Sequence, residues 1–538
     1  DTVTPNALIN ALLRAETDLL WFGGIGTYVK ASSESSLDAG DRANDAVRVS
    51  APDLRCKVVG EGANLAVTQR GRVEFALRGG RLNTDAIDNS AGVDTSDHEV
   101  NIKILLGAVV ADGDMTLKQR NELLASMTDE VALLVLRDNY LQTQAISRAT
   151  SQGIEYLDDQ ARLLRLLERE GRLDRAVEFL PDDEALKERL AAKQGLTRPE
   201  TAVVMAHAKM WLYDALLASD LPDDPRLLND LIRYFPEPVQ GPYRKAIENH
   251  RLRREIIATS ITNSMVNRVG GTFMMRVMEE TGMPPAEVAR AYTIVRKVFL
   301  LRDLWGRIEG LDNKVPAAVQ IAMLHDINRV LELATLWFLR NAARPLDINT
   351  QVDAFRGGVA AIMDHIDQAL PPAYMEALMG RAQPLIDQGV PKELAIEVAA
   401  GINLFSALDI AQLAAARKMD VVAVARLYFT IGGRLRLGDL RRAAAGLRSE
   451  THWQKLAIRA VSDELFAHQK ALTAQVLDVA AKEKDPEKAL AKWSRRNPDV
   501  FARTEQMLAE LWAAQVDDLA MIQVASRQLK ALAGPAGA

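Results

Sequence analysis

The chain contains 538 residues, with 66 lysines and arginines against 72 aspartates and glutamates, so its formal net charge is -6 at pH 7. Hydrophobic residues make up 48% and charged residues 26% of the sequence, which is typical of a globular protein and excludes disordered, collagen-like and disulfide-scaffold chains. At roughly 150 residues per domain, we expect two to four folding units. The basic residues are interspersed along a mildly acidic chain, so nucleic acid is not an expected partner.

Cysteine content and hydropathy predict the compartment. Cys56 is the single cysteine, so no internal disulfide can form. The sequence has neither a signal-peptide pattern nor an apolar run long enough to span a bilayer. These features predict a reducing, cytoplasmic location without a membrane partner. The chain starts at Asp1 rather than at a methionine, which is consistent with the downstream part of a longer polypeptide.

The first hundred residues alternate short apolar runs with glycine-rich turns, a pattern typical of strands alternating with helices. The patterns predict a helix at 4–15, a buried strand at 18–22, a helix at 38–49 and a short strand at 56–60. Glycine-rich segments follow both strands, at 23–26 and 61–64. This order predicts a βαβ unit with parallel strands, in which ligands bind at the carboxyl ends. Residues 68–77 fit a strand or a helix equally well.

After about Ser96 the apolar residues recur at helical spacing and strand patterns almost disappear. One run recurs every four residues and predicts a buried ridge: Ile257, Ile261, Met265, Val269, Phe273 and Val277. Another alternates four and three, the spacing of a seam against a neighbouring helix: Met323, Ile327, Val330, Ala334 and Trp337. We therefore predict an α/β segment at 1–100, connecting helices at 101–150 and a large all-α C-terminal domain at 151–538.

Several familiar chemistries lack their sequence signatures. None of the seven histidines lies one helical turn from another and no cysteine pair exists, so we expect no metal site. The serine-hydrolase pattern Gly-x-Ser-x-Gly and a phosphate loop with Gly-Lys-Ser/Thr do not occur. The cluster at 23–26 lacks the third glycine of the dinucleotide fingerprint, with Val29 in its place, so alone it indicates a tight turn.

Two asparagines beside small residues are better candidates for a binding site. Asn64 and Asn89 each lie at a predicted strand end, where small neighbours let a ligand approach the backbone and a carboxamide can both donate and accept. This chemistry suits a nicotinamide ring. The alternative, which spacing alone favours, is that both are turn residues. Ser96 lies at the entry to a helix predicted at 97–110, where it would be an N-cap.

Four runs, in order, closely resemble the very large bacterial NAD-dependent glutamate dehydrogenases. They are DLLWFGGIGTYV at 18–29, DRANDA at 41–46, VVGEGANL at 58–65 and DNSAGVDTSDHEVN at 88–101. In the wider family the last two places carry Glu-Gly-Ala-Asn-Gly-Pro-Thr and Asn-Ala-Gly-Gly-Val, the second followed by a serine. Asn64, Asn89 and Ser96 fall on those positions. The helical remainder also resembles the C-terminal region of the large enzymes.

The resemblance implies that residues 1 to about 100 form the second half of a Rossmann-like dinucleotide-binding domain. It implies an NAD-dependent oxidation of L-glutamate to 2-oxoglutarate and ammonium, by a homo-oligomer. Ser96 would bind the distal carboxylate of glutamate. The residues implied to line the nicotinamide side are Gly23, Gly24, Gly62, Asn64 and Asn89. Departures from the small-enzyme pattern occur at 65–66, at Ser90 and at His98, where an aromatic residue is usual.

The resemblance also implies that essential parts lie elsewhere. The family's catalytic lysine and aspartate, its glutamate-binding lysines and its Gly-x-Gly-x-x-Gly loop have no match here, so we assign no catalytic residue and expect these parts upstream of Asp1. The preference for NAD comes from the resemblance alone. The alternative is a non-catalytic helical scaffold or regulatory module that assembles subunits of a larger enzyme. On either interpretation, this polypeptide alone should be inactive.

Overall fold

The computed structural model describes residues 2–449, 451–480, 482–496 and 498–534, without the side chains of residues 402 and 403. The chain divides into two compact units, Asp1–Arg290 and Ala291–Ala538. Every named element after Glu61 in the described ranges is helical, which confirms the predicted large helical part. None of the described helices combines the length and apolar character needed to cross a membrane. The domain boundaries predicted at residues 100 and 150 stay a prediction.

Four short strands lie near the start of the first unit: β1 (Leu19–Phe22), β2 (Val29–Lys30), β3 (Val49–Ser50) and β4 (Val58–Glu61). In the described ranges β1 pairs with β4 and β2 pairs with β3, both in parallel. Phe22 lies opposite Glu61, so β1 and β4 end at the same edge. The predicted pair of parallel strands with glycine-rich ends is confirmed. Its apolar core includes Val29, Val49, Val59, Val67 and Phe75.

The helix predicted at 38–49 is wrong. The structure has only a single 3-10 turn there, at Arg42–Asn44, followed by β3. The Asp41 carboxylate accepts from the Thr27 backbone N–H at 2.8 Å, and the buried Arg48 Nε donates to the Thr27 carbonyl at 2.9 Å. Such side-chain bonds to a distant backbone compete with helix formation. Because this helix is missing between β1 and β4, a Rossmann-like segment is not confirmed.

Fifteen α-helices begin among the described residues of the first unit. The segment 68–77, which the pattern left open between strand and helix, forms the second of them, with Thr68 as its N-cap. They are α1 (Pro5–Leu13), α2 (Gln69–Leu77), α3 (Asp85–Asp88), α4 (Ser90–Ala111), α5 (Leu117–Ser126), α6 (Thr128–Gln152), α7 (Ile154–Arg169), α8 (Asp183–Ala191), α9 (Arg198–Leu217), α10 (Leu228–Ile232), α11 (Glu237–Gln240), α12 (Arg244–Glu248), α13 (Arg253–Val269), α14 (Phe273–Thr281) and α15 (Pro285–Val298).

The predicted ridge from Ile257 to Val277 is buried throughout, as expected. It spans two helices, however, because the chain adopts a φ of +88° at Gly270 between α13 and α14. Glycine permits this left-handed backbone at little cost. The apolar spacing therefore predicted the burial correctly but did not reveal the break between α13 and α14.

Every named element of the second unit in the described ranges is a helix, and turns and loops connect them. Its helices are α16 (Leu301–Glu309), α17 (Ala317–Asn341), α18 (Ile348–Asp364), α19 (Ile366–Ala369), α20 (Pro372–Asp387), α21 (Lys392–Leu404), α22 (Ala407–Arg417), α23 (Val421–Arg434), α24 (Leu437–Gly446), α25 (His452–Ala480), α26 (Pro486–Ser494), α27 (Pro498–Ala513) and α28 (Leu519–Ala533). The predicted seam on α17, from Met323 to Trp337, is buried as expected.

Candidate functional site

The glycine-rich segments meet at the carboxyl edge of β1 and β4. The Ala63 backbone N–H donates to the Phe22 carbonyl at 3.0 Å, which joins the two segments directly. Gly23, Gly24 and Asn64 are exposed at this edge, and Gly62 is half-buried. A ligand can therefore reach the backbone of both segments from solvent.

Close packing explains one of these glycines. A Cβ on Gly62 would lie 2.5 Å from the Trp21 ring, which covers this strand while remaining 58% exposed. Any side chain at position 62 would displace the indole. By contrast, a Cβ on Gly24 would meet no atom within 4 Å in the described part of the chain, so open space lies over that segment.

A buried ion pair between Glu61 and Arg72 holds the glycine-rich segment at 61–64 in place. Glu61 is fully buried, and its carboxylate accepts from the Arg72 guanidinium at 2.7 and 2.9 Å and from the Val67 backbone N–H at 3.0 Å. Burial raises the pKa of Glu61, and the hydrogen bonds from Arg72 oppose that rise. The sequence interpretation missed this pair, because nothing local relates position 61 to position 72.

The short helix α3 brings Asn89 to the same edge. The Asp88 carboxylate accepts from the Glu61 backbone N–H at 3.0 Å, and Asp85 accepts from the Leu65 backbone N–H at 2.8 Å. The half-buried Asn89 follows directly. Both predicted segments, around Asn64 and around Asn89, are thus next to each other in space.

The prediction that Asn89 follows a strand is wrong. Asn89 lies at the junction of α3 and α4, and Asn139 of α6 holds this junction by donating to the Ile87 carbonyl at 2.7 Å and to Ser90 Oγ at 3.0 Å. A Cβ on Gly92 would lie 2.9 Å from Asn89 Oδ1, so the small residue makes room for the carboxamide. Small residues are common both after strands and where two helices meet closely, so the pattern after Asn89 was compatible with either.

Ser96 is not an N-cap, because α4 begins at Ser90 rather than at the predicted 97. Asn89 and Ser96 are seven residues apart, which is almost two helical turns, so both lie on the same face about 10 Å apart along the axis. Ser96 is exposed on that face. We call this face of α4, defined by Asn89, Gly92 and Ser96, the outer face.

The opposite face of α4, which we call the inner face, packs against the helical part of the first unit. His98 is 2% exposed and stacks on Tyr234 with ring centroids 4.5 Å apart. The Tyr234 hydroxyl donates to Asp97 at 2.8 Å, and Asn101 Nδ2 donates to that hydroxyl at 2.9 Å. These contacts fix how α4 presents its outer face. They also account for His98, whose ring stacks as the usual aromatic residue would.

Charged groups surround the inner face. Burial, together with the neighbouring Asp138 and Asp97 carboxylates, raises the pKa of Asp94 to about 7. Burial also raises the pKa of Asp138 and lowers that of Lys209 to about 8. Donor atoms of Asp94, His98 and Asp138 all lie within 4.8 Å of one another. We expected no metal site because no two histidines are one helical turn apart. Asp94 and His98, however, are one turn apart on α4.

A large cavity lies elsewhere. It measures about 620 Å³ and opens at the amino ends of the strands, lined by Asp18, Lys57 and Arg81 among others. In parallel sheets ligands bind at the carboxyl ends. None of the residues predicted to bind the cofactor or substrate lines this cavity, so we place the candidate site at the opposite edge.

Comparisons with known proteins identify the family. Residues 193–531 match the family described as glutamate dehydrogenase, C-terminal, and residues 1–149 match the bacterial NAD-glutamate dehydrogenase catalytic domain. Proteins named NAD-specific glutamate dehydrogenase from Pseudomonas aeruginosa, Halomonas elongata and Mycobacterium tuberculosis are 46%, 42% and 38% identical to this chain, respectively. Each match covers 99% of this chain and 33% of the relative, so the chain spans about a third of their length. The chain belongs to the bacterial NAD-dependent glutamate dehydrogenase family, as its motifs predicted.

Proposed function

We propose that this chain supplies part of the cofactor and substrate site of an enzyme that oxidises L-glutamate to 2-oxoglutarate and ammonium with NAD. The observation that carries the proposal is the outer face of α4. It starts at the glycine-rich edge and presents Asn89 and then the exposed Ser96 in one line. The family relationship supports the same activity.

The proposed roles follow from the chemistry of the side chains. NAD accepts the α-hydride of glutamate when bound. Gly23, Gly24 and Gly62 leave the backbone open to a flat ring, and the carboxamides of Asn64 and Asn89 can pair with the carboxamide of nicotinamide. Ser96 donates to the distal carboxylate of glutamate, a charge-assisted bond. We assign no catalytic acid or base to this chain.

The finer assignments are part of the same proposal. We infer that residues 1 to about 100 form the second half of a Rossmann-like domain, since parallel β1 and β4 both end at the candidate site. Assembly into a homo-oligomer, a cytoplasmic location and the absence of nucleic acid and membrane partners stay predictions. The buried, single Cys56 is compatible with a reducing compartment.

A chimaera tests the proposed activity. This chain would replace the matching third of the Pseudomonas aeruginosa relative, and glutamate-dependent formation of NADH would be measured spectrophotometrically. We expect activity from the chimaera and none from this chain alone. A control chimaera would carry Asn89→Leu, which keeps the side-chain size but removes the carboxamide.

The outcomes separate the two interpretations. Activity that Asn89→Leu abolishes or strongly reduces, while the fold is retained by circular dichroism, supports a cofactor site. A folded and fully active Asn89→Leu chimaera would refute that role for Asn89. If a folded chimaera assembles like the relative but has no activity, the scaffold alternative is the better account.

A further inference from the structure

We propose that Asp94, His98 and Asp138 bind one divalent transition-metal ion between α4 and α6. The three residues offer two carboxylate oxygens and one imidazole nitrogen, all within 4.8 Å of one another. Asp94 and His98 lie on the inner face of α4, on the side of the helix opposite Ser96, and Asp138 lies on α6. The proposed site is therefore distinct from the cofactor and substrate site, and it does not depend on the proposed activity.

The polar groups at this place lack ordinary partners, which sets the cluster apart from a solvated acidic patch. His98 is 2% exposed, yet its Nδ1 has no hydrogen-bond partner among the described residues, and neither has the buried Oδ2 of Asp94. His98 Nε2 points toward Asp94 Oδ1 across 3.9 Å, too far for a hydrogen bond. Buried polar atoms are rarely left unsatisfied. A cation bound to Asp94 and to one nitrogen of the imidazole would give both side chains a partner that the described residues do not supply.

The charges of the surrounding groups favour a cation. Burial lowers the pKa of His98, which keeps the imidazole neutral and able to coordinate. Burial raises the pKa of both aspartates, and the ammonium of Lys209 on α9 opposes that rise. It forms no ion pair with either of them in the described part of the chain, so it offsets their charge only from a distance. No cationic side chain among the described residues therefore occupies the carboxylate oxygens, and a metal ion that binds them displaces any proton they carry.

The donor set points to the class of metal. Ca²⁺ and Mg²⁺ take oxygen ligands, whereas an imidazole nitrogen with carboxylates suits Zn²⁺ and its neighbours in the first transition row. Tetrahedral Zn²⁺ with bonds of about 2.0–2.2 Å needs its ligand atoms about 3.3 Å apart. Closing the present spacing requires shifts of about 1 Å, within reach of side-chain rotation. The Tyr234 stack already orients the His98 ring.

Isothermal titration of the chelator-treated full chain with Zn²⁺ tests the site. We expect one ion per chain in the micromolar range or tighter. Asp138→Asn and His98→Phe should each weaken binding by at least about 100-fold, because loss of a ligand should exceed the 10–100-fold cost of losing an outer partner. Phenylalanine keeps the stack on Tyr234, so this variant is expected to fold. Glu99→Gln, on the same helix but exposed, should bind as the unsubstituted chain does.

The variant Lys209→Met should strengthen Zn²⁺ binding, in contrast to Asp138→Asn and His98→Phe. Removing the nearby ammonium lowers the repulsion of a divalent ion, so Zn²⁺ should bind about tenfold more tightly. Melting temperatures of all variants in chelator check that each one folds. The proposal is overturned if the unsubstituted chain binds no Zn²⁺ in this range, if folded Asp138→Asn and His98→Phe bind it undiminished, or if folded Lys209→Met binds it more weakly.

Discussion

Replacement of Arg72 by methionine tests how the second glycine-rich segment is held. Methionine fills much of the arginine volume but, among the described residues, leaves the fully buried Glu61 carboxylate with only the Val67 backbone N–H as its partner. Breaking a buried ion pair on one side costs about 3–5 kcal/mol, because an uncompensated charge stays in the interior. The double variant Glu61→Gln/Arg72→Met removes that charge, so it should be more stable than Arg72→Met alone.

The cost of Arg72→Met should depend on pH. Burial already raises the pKa of Glu61, and loss of the guanidinium removes the groups that oppose this rise. A carboxyl group whose folded-state pKa is raised binds a proton in the native state first, so the folded protein gains stability as pH falls. The deficit of Arg72→Met should therefore be largest near pH 8 and smaller near pH 5.

Urea unfolding at both pH values gives the free energies of unfolding, and hydrogen exchange of the Val67 amide reports the segment locally. Arg78→Met is the matched control, since Arg78 is exposed directly after α2, and we expect it to change stability by less than about 0.5 kcal/mol. An Arg72→Met variant no less stable than this control, or a deficit that grows toward acid pH, would show that the pair does not act as described.

Three further predictions concern the rest of the chain. His250 Nδ1 accepts from the Leu252 backbone N–H, and burial lowers the pKa of His250, so the stability that the neutral ring contributes is lost as pH falls below about 6.5. The melting temperature of His250→Gln should therefore fall short of that of the unsubstituted chain by less at pH 5 than at pH 8, and an equal difference at both pH values would contradict this. Asp409 accepts from Trp337 Nε1 and pairs with Lys470, both at 2.9 Å, so Asp409→Leu should cost about 3 kcal/mol in urea unfolding, whereas a neutral effect would refute this expectation. The unfused chain should form no NADH from glutamate and NAD, and activity that survives repurification would disprove this.

Local patterns predicted the parts of the fold that local forces decide. The parallel pairing of β1 with β4 and the burial of the ridge on α13 and α14 followed from apolar spacing and glycine positions. The segment at 38–49 failed because Asp41 and Arg48 bond to the distant backbone of Thr27. Spacing alone could not have revealed those contacts.

The candidate site shows the same division. The motifs around Asn64 and Asn89 marked residues that the fold brings to one edge. The Glu61–Arg72 pair and the meeting of Asp94 with Asp138 depend on how α2, α3, α4 and α6 pack together. Such contacts join positions on different elements, and no local sequence pattern predicts them. The start of α4 was misplaced because the small residues after Asn89 weaken its helical signal.

Substitution of Ser96 by alanine in the chimaera tests the outer face most directly. A lost charge-assisted bond of about 1.5–3 kcal/mol predicts that the glutamate KM rises about 10-fold to about 150-fold, with little change in NAD affinity. The melting temperature should not fall, because alanine favours an exposed helix position. Thr95→Ala removes the neighbouring hydroxyl, which bonds to the Ala91 carbonyl, and should leave the glutamate KM unchanged. A Ser96→Ala enzyme with unaltered glutamate KM and kcat would contradict the proposed substrate role of Ser96.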